Sequence, residues 1–471
     1  MGRPTHTAIK CNAPRSMPDN SLAHPTGRVL LTERSRVVDW GAMEKRTNLD
    51  PSNYRWNSVA FVLDYIFFNV ALSFARPDSV LPAFVRQFTR SAPVIGLVAT
   101  VWNGCWLLPQ IVAAHWISDK PRKKPYLMAG LSGRVAFWFL ALALWLGLGD
   151  APSVMLTFFF VCLGIFALTD GLASVAWFDM LARAIPMKRR GRLIGIGQVI
   201  GGLAGLGVGW VISLILGSPR LGFPDTYALM FALVGVAFVP SSVALVLLRE
   251  PRTEIDLEAW ARTQQSGWLR PLVQDRTFRR LMVCRVLVGM VALASPFYVV
   301  HATDVLNLPE TAVGGFVAAQ QVAGVAAGAL LGVVSDRWGP GYTIRIGSAL
   351  SILGPLFALV AHVADGGLLS QAYPVVYVAL GIFQSSTMLG FYNYLLEIAP
   401  DDRRPAYIGL GNTIMGVLTL APTLGGWLLE ATSYTTLFAV TAGLIFAGFL
   451  AAMGMGPASA PEELLVVGDG A

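Results

Sequence analysis

His115-Trp116-Ile117-Ser118-Asp119-Lys120-Pro121-Arg122-Lys123-Lys124 sits between two long apolar segments, and Gly332-Val333-Val334-Ser335-Asp336-Arg337-Trp338-Gly339-Pro340-Gly341 sits between two others, 217 residues on. A second pair repeats the relation. Phe178 to Gly197 reads FDMLARAIPMKRRGRLIGIG, and Tyr392 to Gly411 reads YNYLLEIAPDDRRPAYIGLG. Pro186, Arg189, Arg190, Gly195 and Gly197 fall on Pro400, Arg403, Arg404, Gly409 and Gly411, all at an offset of 214. Halves that repeat in order, with acidic-basic loops on one side of the apolar segments, predict two like bundles of membrane helices.

Composition agrees. Of 471 residues, 55% are hydrophobic and 13% charged, where a soluble protein carries about 25% charged residues. Mean hydropathy is +0.59. The apolar runs are long enough to cross a bilayer core of about 30 Å as helices. The short alternating strands of a barrel are absent. The expected fold is therefore an all-α integral membrane protein with twelve transmembrane helices in two pseudo-symmetric six-helix bundles.

The spans are expected at about 57–84, 91–116, 126–148, 153–180, 193–216 and 225–248, then 279–303, 310–334, 342–364, 371–397, 407–429 and 432–454. The organisation is a polar tail (1–54), an N-terminal bundle (55–248), a charged linker (249–278), a C-terminal bundle (279–455) and a short polar tail (456–471). The first tail has no apolar run of signal-peptide type and reads as disordered. Met43-Glu44-Lys45-Arg46 reads as an alternative start. In the linker, Leu257, Trp260 and Ala261 share one helical face, as in a short amphipathic surface helix.

The net charge of +7 could suit a nucleic-acid partner, but its distribution gives a better reason. Arg86, Arg90 and Arg220 are the basic residues of one set of loops. Lys120, Arg122, Lys123, Lys124, Arg183, Lys188, Arg189, Arg190, Arg192, the linker, Arg403 and Arg404 lie in the other set. The first set instead carries Asp150, Asp225, Asp304, Glu310, Asp365 and Glu430. This asymmetry puts both termini in the cytoplasm, with the lipid bilayer as partner and no nucleic acid. Cys11, Cys105, Cys162 and Cys284 show no CxxC spacing and read as packed thiols, without metal site or disulfide framework.

Ionisable groups inside a span cost about 2.5–3.5 kcal/mol on insertion scales, so each is a functional candidate. Asp170 lies near the middle of the fourth span, with Ser174 and Trp177 on its face. On the first span Tyr65, Asn69, Ser73 and Arg76 form one stripe at about 100° per residue. Asp64 sits beside it and Asp78 follows. The seventh span offers Arg285 and His301, the eighth Gln320 and Gln321. The tenth offers Ser386, Asn393 and Glu397 on one face and Gln384 elsewhere. The candidate substrate or proton residues are Asp64, Asn69, Arg76, Asp170, Gln320, Gln384 and Asn393. Tyr65, Trp177, Phe297, Tyr298 and Phe391 are candidate apolar walls. The alternative is structural pairing, Asp179 with Arg183 and Arg76 with Asp78. Gly201, Gly205 and Gly209 on the fifth span, and Gly324, Gly328 and Gly332 on the eighth, recur every fourth residue, which lets backbones approach closely.

The loop stretches resemble those of the major facilitator superfamily, over about residues 55–455. The family's motif is a glycine, three residues, then Asp-Arg-x-Gly-Arg-Arg/Lys. The second copy keeps Gly332, Asp336, Arg337 and Gly339. The first keeps Asp119 and the basic Lys123 and Lys124, with His115, Lys120 and Arg122 departing from the pattern. The resemblance implies two bundles rocking around a central cavity lined by the first, fourth, seventh and tenth helices. It implies that Asp119 closes an inner gate, with Arg183 a candidate partner and Asp336 its pseudo-symmetric twin. It also sets the fifth helix against the eighth across the bundle interface. The implied function is secondary transport of a small organic solute across a bacterial-type plasma membrane, by a monomer without cofactor. If a proton drives it, a buried carboxylate is the natural carrier, Asp170 before Asp64. A transport-dead member that binds and signals is the alternative. No GxxxxGK[ST] loop offers ATP as the driver, and no HExxH or GxSxG constellation points to an enzyme.

Overall fold

The computed structural model describes residues 51–118, 120, 122–250, 270–364, 367–400 and 404–456. Residues 1–50 and 457–471, Asp119, Arg403 and the linker's amphipathic stretch lie outside the described residues, while the end of the expected first tail, from Pro51, is already helical.

Among the described residues the chain is helical, with no strand. Twelve helices are long and apolar enough to span a bilayer: Asn53–Phe74, Ala92–Gln110, Lys124–Trp145, Pro152–Ala184, Arg192–Leu216, Asp225–Val246, Arg276–Asp304, Ala312–Trp338, Pro340–Val363, Gly367–Ile398, Tyr407–Ala431 and Tyr434–Met453. Only helices satisfy every backbone group internally in lipid, short of a closed barrel. Surfaces run opposite to those of a soluble protein. Trp210, Leu330, Leu424 and Trp427 are exposed, while Asp64, Arg134, Asp170 and Arg285 are buried.

The first span is shorter than the expected 57–84. Its helix ends at Phe74 and a separate helix runs Val80–Arg86. Pro77 explains the break, because it lacks an N–H and disfavours helical backbone in the residue before it. The third span turns 3-10 at Ser132–Val135, the seventh at Met290–Leu293, and the tenth opens into a π-helical turn at Thr387–Tyr392. The eighth stops at Gly339, whose φ of 87° favours glycine.

Packing within the first bundle centres on a ring cluster. Phe84 lies 5.0 Å from Phe231 and 5.2 Å from Phe159, and Phe137 lies 4.9 Å from Phe166. In the second, Phe316 stacks on Tyr377 at 4.5 Å and Tyr298 on Phe438 at 5.5 Å. These rings fix the helices that carry the polar groups.

The bundles touch along two seams of small residues. A Cβ on Gly209 would come 2.5 Å from the Gly314 carbonyl, and one on Gly217 would come 2.9 Å from Thr311. Gly205 faces Gln321 and Gly202 faces Val325. A Cβ on Gly195 or Gly332, nearer the basic loops, would meet nothing within 4 Å among the described residues. The second seam joins the second and eleventh spans. Gly96 meets Pro422, Gly426 meets Ala92, and Thr423 Oγ1 donates to Thr100 Oγ1 at 2.8 Å. The fifth and eighth spans thus meet over the half nearer the acidic loops, and these glycine contacts stop toward the basic end.

Gly201, Gly324 and Gly328 sit otherwise than expected. Gly201 faces Asn69 of the first span at 3.1 Å, inside its own bundle. Gly324 and Gly328 face Ser385 of the tenth span at 4.0 and 3.9 Å. Four-residue spacing makes a smooth face but does not say which neighbour it meets. The face that meets the fifth span is Gly314, Ala318, Gln321 and Val325, rotated away from the glycine row.

Candidate functional site

A chain of buried polar groups crosses the first bundle. Arg134, on the third span, donates from Nε and Nη2 to Asp170 Oδ1 at 3.3 Å each. Its Nη1 donates to Ser241 Oγ at 2.8 Å and to Ser242 Oγ at 3.2 Å. Ser241 in turn donates to Asp64 Oδ1 at 2.6 Å, and Trp177 Nε1 donates to Asp64 Oδ2 at 2.8 Å. The guanidinium lies between the rings of Phe238 and Phe68, 4.8 and 5.3 Å from their centroids. Asp64, Arg134 and Asp170 are 4%, 6% and 5% exposed. Four spans therefore converge on two carboxylates and one guanidinium. At most one carboxylate charge is balanced by that cation, in surroundings where an unbalanced charge is expensive.

The sequence reading named Asp64, Asp170 and Trp177 and missed Arg134 and Ser241. Arg134 carried a usable signal, since it is a lone arginine eleven residues into the third span. Ser174 donates to Gly171 of its own helix and does not join the chain.

The stripe on the first span turns to the second bundle. Gln321 Nε2 donates to Ser73 Oγ at 2.9 Å, and Gln320 Nε2 donates to Asp78 Oδ2 at 2.7 Å. Arg76 pairs with Asp78 at 3.0 Å and reaches Gln321 Oε1 at 3.4 Å. Arg76 and Gln320 therefore tie the bundles together instead of lining an open cavity. Asn69 donates to the Tyr65 carbonyl at 2.7 Å. Gln384 is exposed and Asn393 half-buried. Tyr298 and Phe391 are fully packed and form bundle core, while Phe297, equally buried, borders a cavity near the acidic loops.

Nearer the acidic loops, Arg86 pairs with Asp304 at 2.5 Å and Gln87 donates to Glu310 at 2.8 Å. Beside them a cavity of about 360 Å³ is lined by Arg86, Arg90, Asp304, His362, Glu430 and Tyr434. His301 is fully buried between Tyr373 at 3.0 Å and His362 at 3.1 Å.

At the basic end, Lys123 is buried. Its amine donates to the Ile117 carbonyl and its backbone N–H to Glu250. Lys124 donates to the Leu248 carbonyl at 2.9 Å. These bonds knit the loop after the second span to the end of the sixth, within one bundle. Arg183 pairs with Asp179 at 2.9 Å, the structural pairing weighed above. Arg122, Asp336 and Arg337 are exposed. Among the described residues no group of three or more His, Cys, Asp or Glu is placed to hold a metal ion.

A family model described as Major Facilitator Superfamily matches residues 58–417 and 281–468. No curated protein matches the sequence. Solved structures do. A bacterial homologue of the iron transporter ferroportin, in an inward-facing state, is 14% identical with a TM-score of 0.64, covering 84% of this chain and 98% of that one. A D-xylose-proton symporter is 16% identical with a TM-score of 0.62, covering 85% and 98%. A nucleoside transporter is 13% identical with a TM-score of 0.59, covering 86% and 99%. At such identities the likeness is one of fold.

Proposed function

The chain belongs to the major facilitator superfamily and is a multi-pass membrane transporter, and from that premise we propose that it moves a small organic solute across the plasma membrane by alternating access, coupled to protons. The observation that carries this reading is the uneven seam between the fifth and eighth spans. Contact from Gly217 to Gly202, with nothing within 4 Å of a Cβ on Gly195 or Gly332 among the described residues, supports two bundles closed at one end. The basic loops put the other end, and both termini, in the cytoplasm. The state is then inward-open.

Proton coupling rests on charge balance in the first bundle. One guanidinium facing Asp64 and Asp170 leaves a place for one proton. Taking it up or releasing it rearranges bonds that join the first, third, fourth and sixth spans. That gives a proton leverage over the shape of the bundle. Asp119 keeps its role of inner latch by family resemblance, and Asp336, exposed at the basic end, is its twin.

Proteoliposomes test this. Labelled solutes are presented in counterflow and then under an imposed pH gradient. Wild type should show both exchange and gradient-driven accumulation, while Asp170→Asn keeps exchange and loses accumulation. Ligand binding with no counterflow in the wild type would remove the transport reading.

A further inference from the structure

Arg134 has its carboxylates. Arg285 has none. It lies on the seventh span, is 5% exposed, and its Nε and Nη1 are enclosed with no hydrogen-bond partner. Glu397, on the neighbouring tenth span, is exposed and forms no ion pair with it. What the guanidinium meets is the ring of Tyr392, with Cζ 4.8 Å from the centroid. Tyr392 ends the π-helical turn Thr387–Tyr392, a rare local geometry found often at functional sites. Its hydroxyl donates to Asn412 Oδ1 of the eleventh span at 3.1 Å. The amide's acceptor is thereby engaged, and its NH2 is the free end. Tyr392 and Asn412 are each half-buried, so the place opens to one side.

Three spans thus contribute Arg285, Tyr392 and Asn412 to one connected group, and no carboxylate in it faces the guanidinium. The unmet groups are the N–H groups of an arginine and the NH2 of an asparagine, with an aromatic face holding the guanidinium. A buried cation in this setting calls for an acceptor from outside the chain.

We propose that Arg285 receives the carboxylate, or a comparable oxyanion, of the transported solute, so that the substrate is an organic anion. The inference rests on the transport reading above and adds the substrate's charge class. Once a shift of the surrounding side chains admits the solute to the enclosed Nε and Nη1, an edge of the planar guanidinium matches a carboxylate bidentately. Tyr392 keeps the guanidinium in place by stacking under it. A neutral analogue leaves the donors desolvated and unpaired, which a site of this kind rejects strongly. The bundles then divide the labour, the first binding the proton and the second the anion.

The test uses purified full-length protein, titrated by intrinsic tryptophan fluorescence and by thermal stability. The probes are matched pairs: benzoate and benzamide, gluconate and glucose, N-acetylglycine and N-acetylglycinamide. At least one anion should bind while its neutral partner does not. Arg285→Gln should weaken that binding at least about 30-fold, and Arg285→Lys, which keeps charge without the fork, at least about 10-fold. If Arg285→Gln does not fold, the Arg285→Lys value decides. Equal binding of the neutral partner, wild-type affinity in the variants, or no anion binding at all would overturn the assignment. Counterflow separates the two readings. An anion that binds through Arg285 without flux sinks transport and keeps the site. Flux of a neutral solute indifferent to Arg285→Gln does the reverse.

Discussion

Arg134 stands 3.3 Å from Asp170 and reaches Asp64 through one shared hydroxyl, that of Ser241. The two carboxylates sit on different spans, yet a single guanidinium orients both. A change of charge at either one is felt by the other through that cation. The cluster is therefore a unit, and its members are expected to act non-additively on mutation.

Removing the cation alone should be the worst change. Arg134→Leu leaves two buried carboxylates facing each other without their counter-ion, a loss on the order of 3–5 kcal/mol. The double variant Arg134→Leu/Asp170→Leu removes the pair and leaves Asp64 with Trp177 and Ser241, so it should recover much of the loss. Thermal unfolding in detergent reads both. A double variant no more stable than Arg134→Leu would mean that the ion pair does not dominate at this site.

The carboxylates should separate coupling from exchange. Asp64→Asn, like Asp170→Asn, keeps the size of the side chain and removes the titratable charge. Gradient-driven accumulation should be lost in each, because the titratable carboxylate that would carry the proton is gone, while exchange persists. Undiminished accumulation in both variants would take the proton out of this cluster.

The glycine seam makes a graded prediction. Gly209→Leu drives a side chain into the Gly314 backbone, which cannot give way. Gly205→Leu meets the amide end of Gln321, which can swing aside. Gly195→Leu meets nothing within 4 Å among the described residues. Flux should be near zero in Gly209→Leu and less reduced in Gly205→Leu, and Gly195→Leu should lower it only through the state in which the basic ends close, at equal membrane insertion. Equal flux in Gly209→Leu and wild type would show that the seam need not close during transport.

Much of this was legible in the sequence. Apolar length gave the twelve spans, and the cost of a charge in lipid singled out Asp64 and Asp170. Their partner Arg134 obeys the same rule, but the pairing is set by how the third span packs on the fourth, which periodicity does not report. Gly324 and Gly328 teach the same lesson. Their spacing marks a smooth face, and rotation of the helix about its axis gives that face to the tenth span. Pro77 ends the first helix early, and that signal was present in the residue itself.

The rim pair between the bundles should matter little. Arg86 and Asp304 are 23% and 32% exposed, and pairs of that kind contribute about 0–1 kcal/mol. Asp304→Asn should therefore change flux by less than about fivefold. A complete loss of transport would assign Asp304 a role beyond the rim, in the adjoining cavity with Arg90 and Glu430.

The second seam offers a direct lock. Thr100 and Thr423 approach to 2.8 Å between hydroxyls across the second and eleventh spans. Hydroxyls in contact place their Cβ atoms close to the separation a disulfide needs, a mean of about 3.8 Å. Thr100→Cys with Thr423→Cys, in a background where Cys11, Cys105, Cys162 and Cys284 are replaced by serine or alanine, should cross-link under mild oxidant. The bond would hold this end shut. Exchange should then stop, and a reductant should restore it, because alternating access requires this seam to part in every cycle. Cross-linked protein that still exchanges solute at the wild-type rate would show that the second and eleventh spans stay together throughout, and that the moving seam is the one between the fifth and eighth.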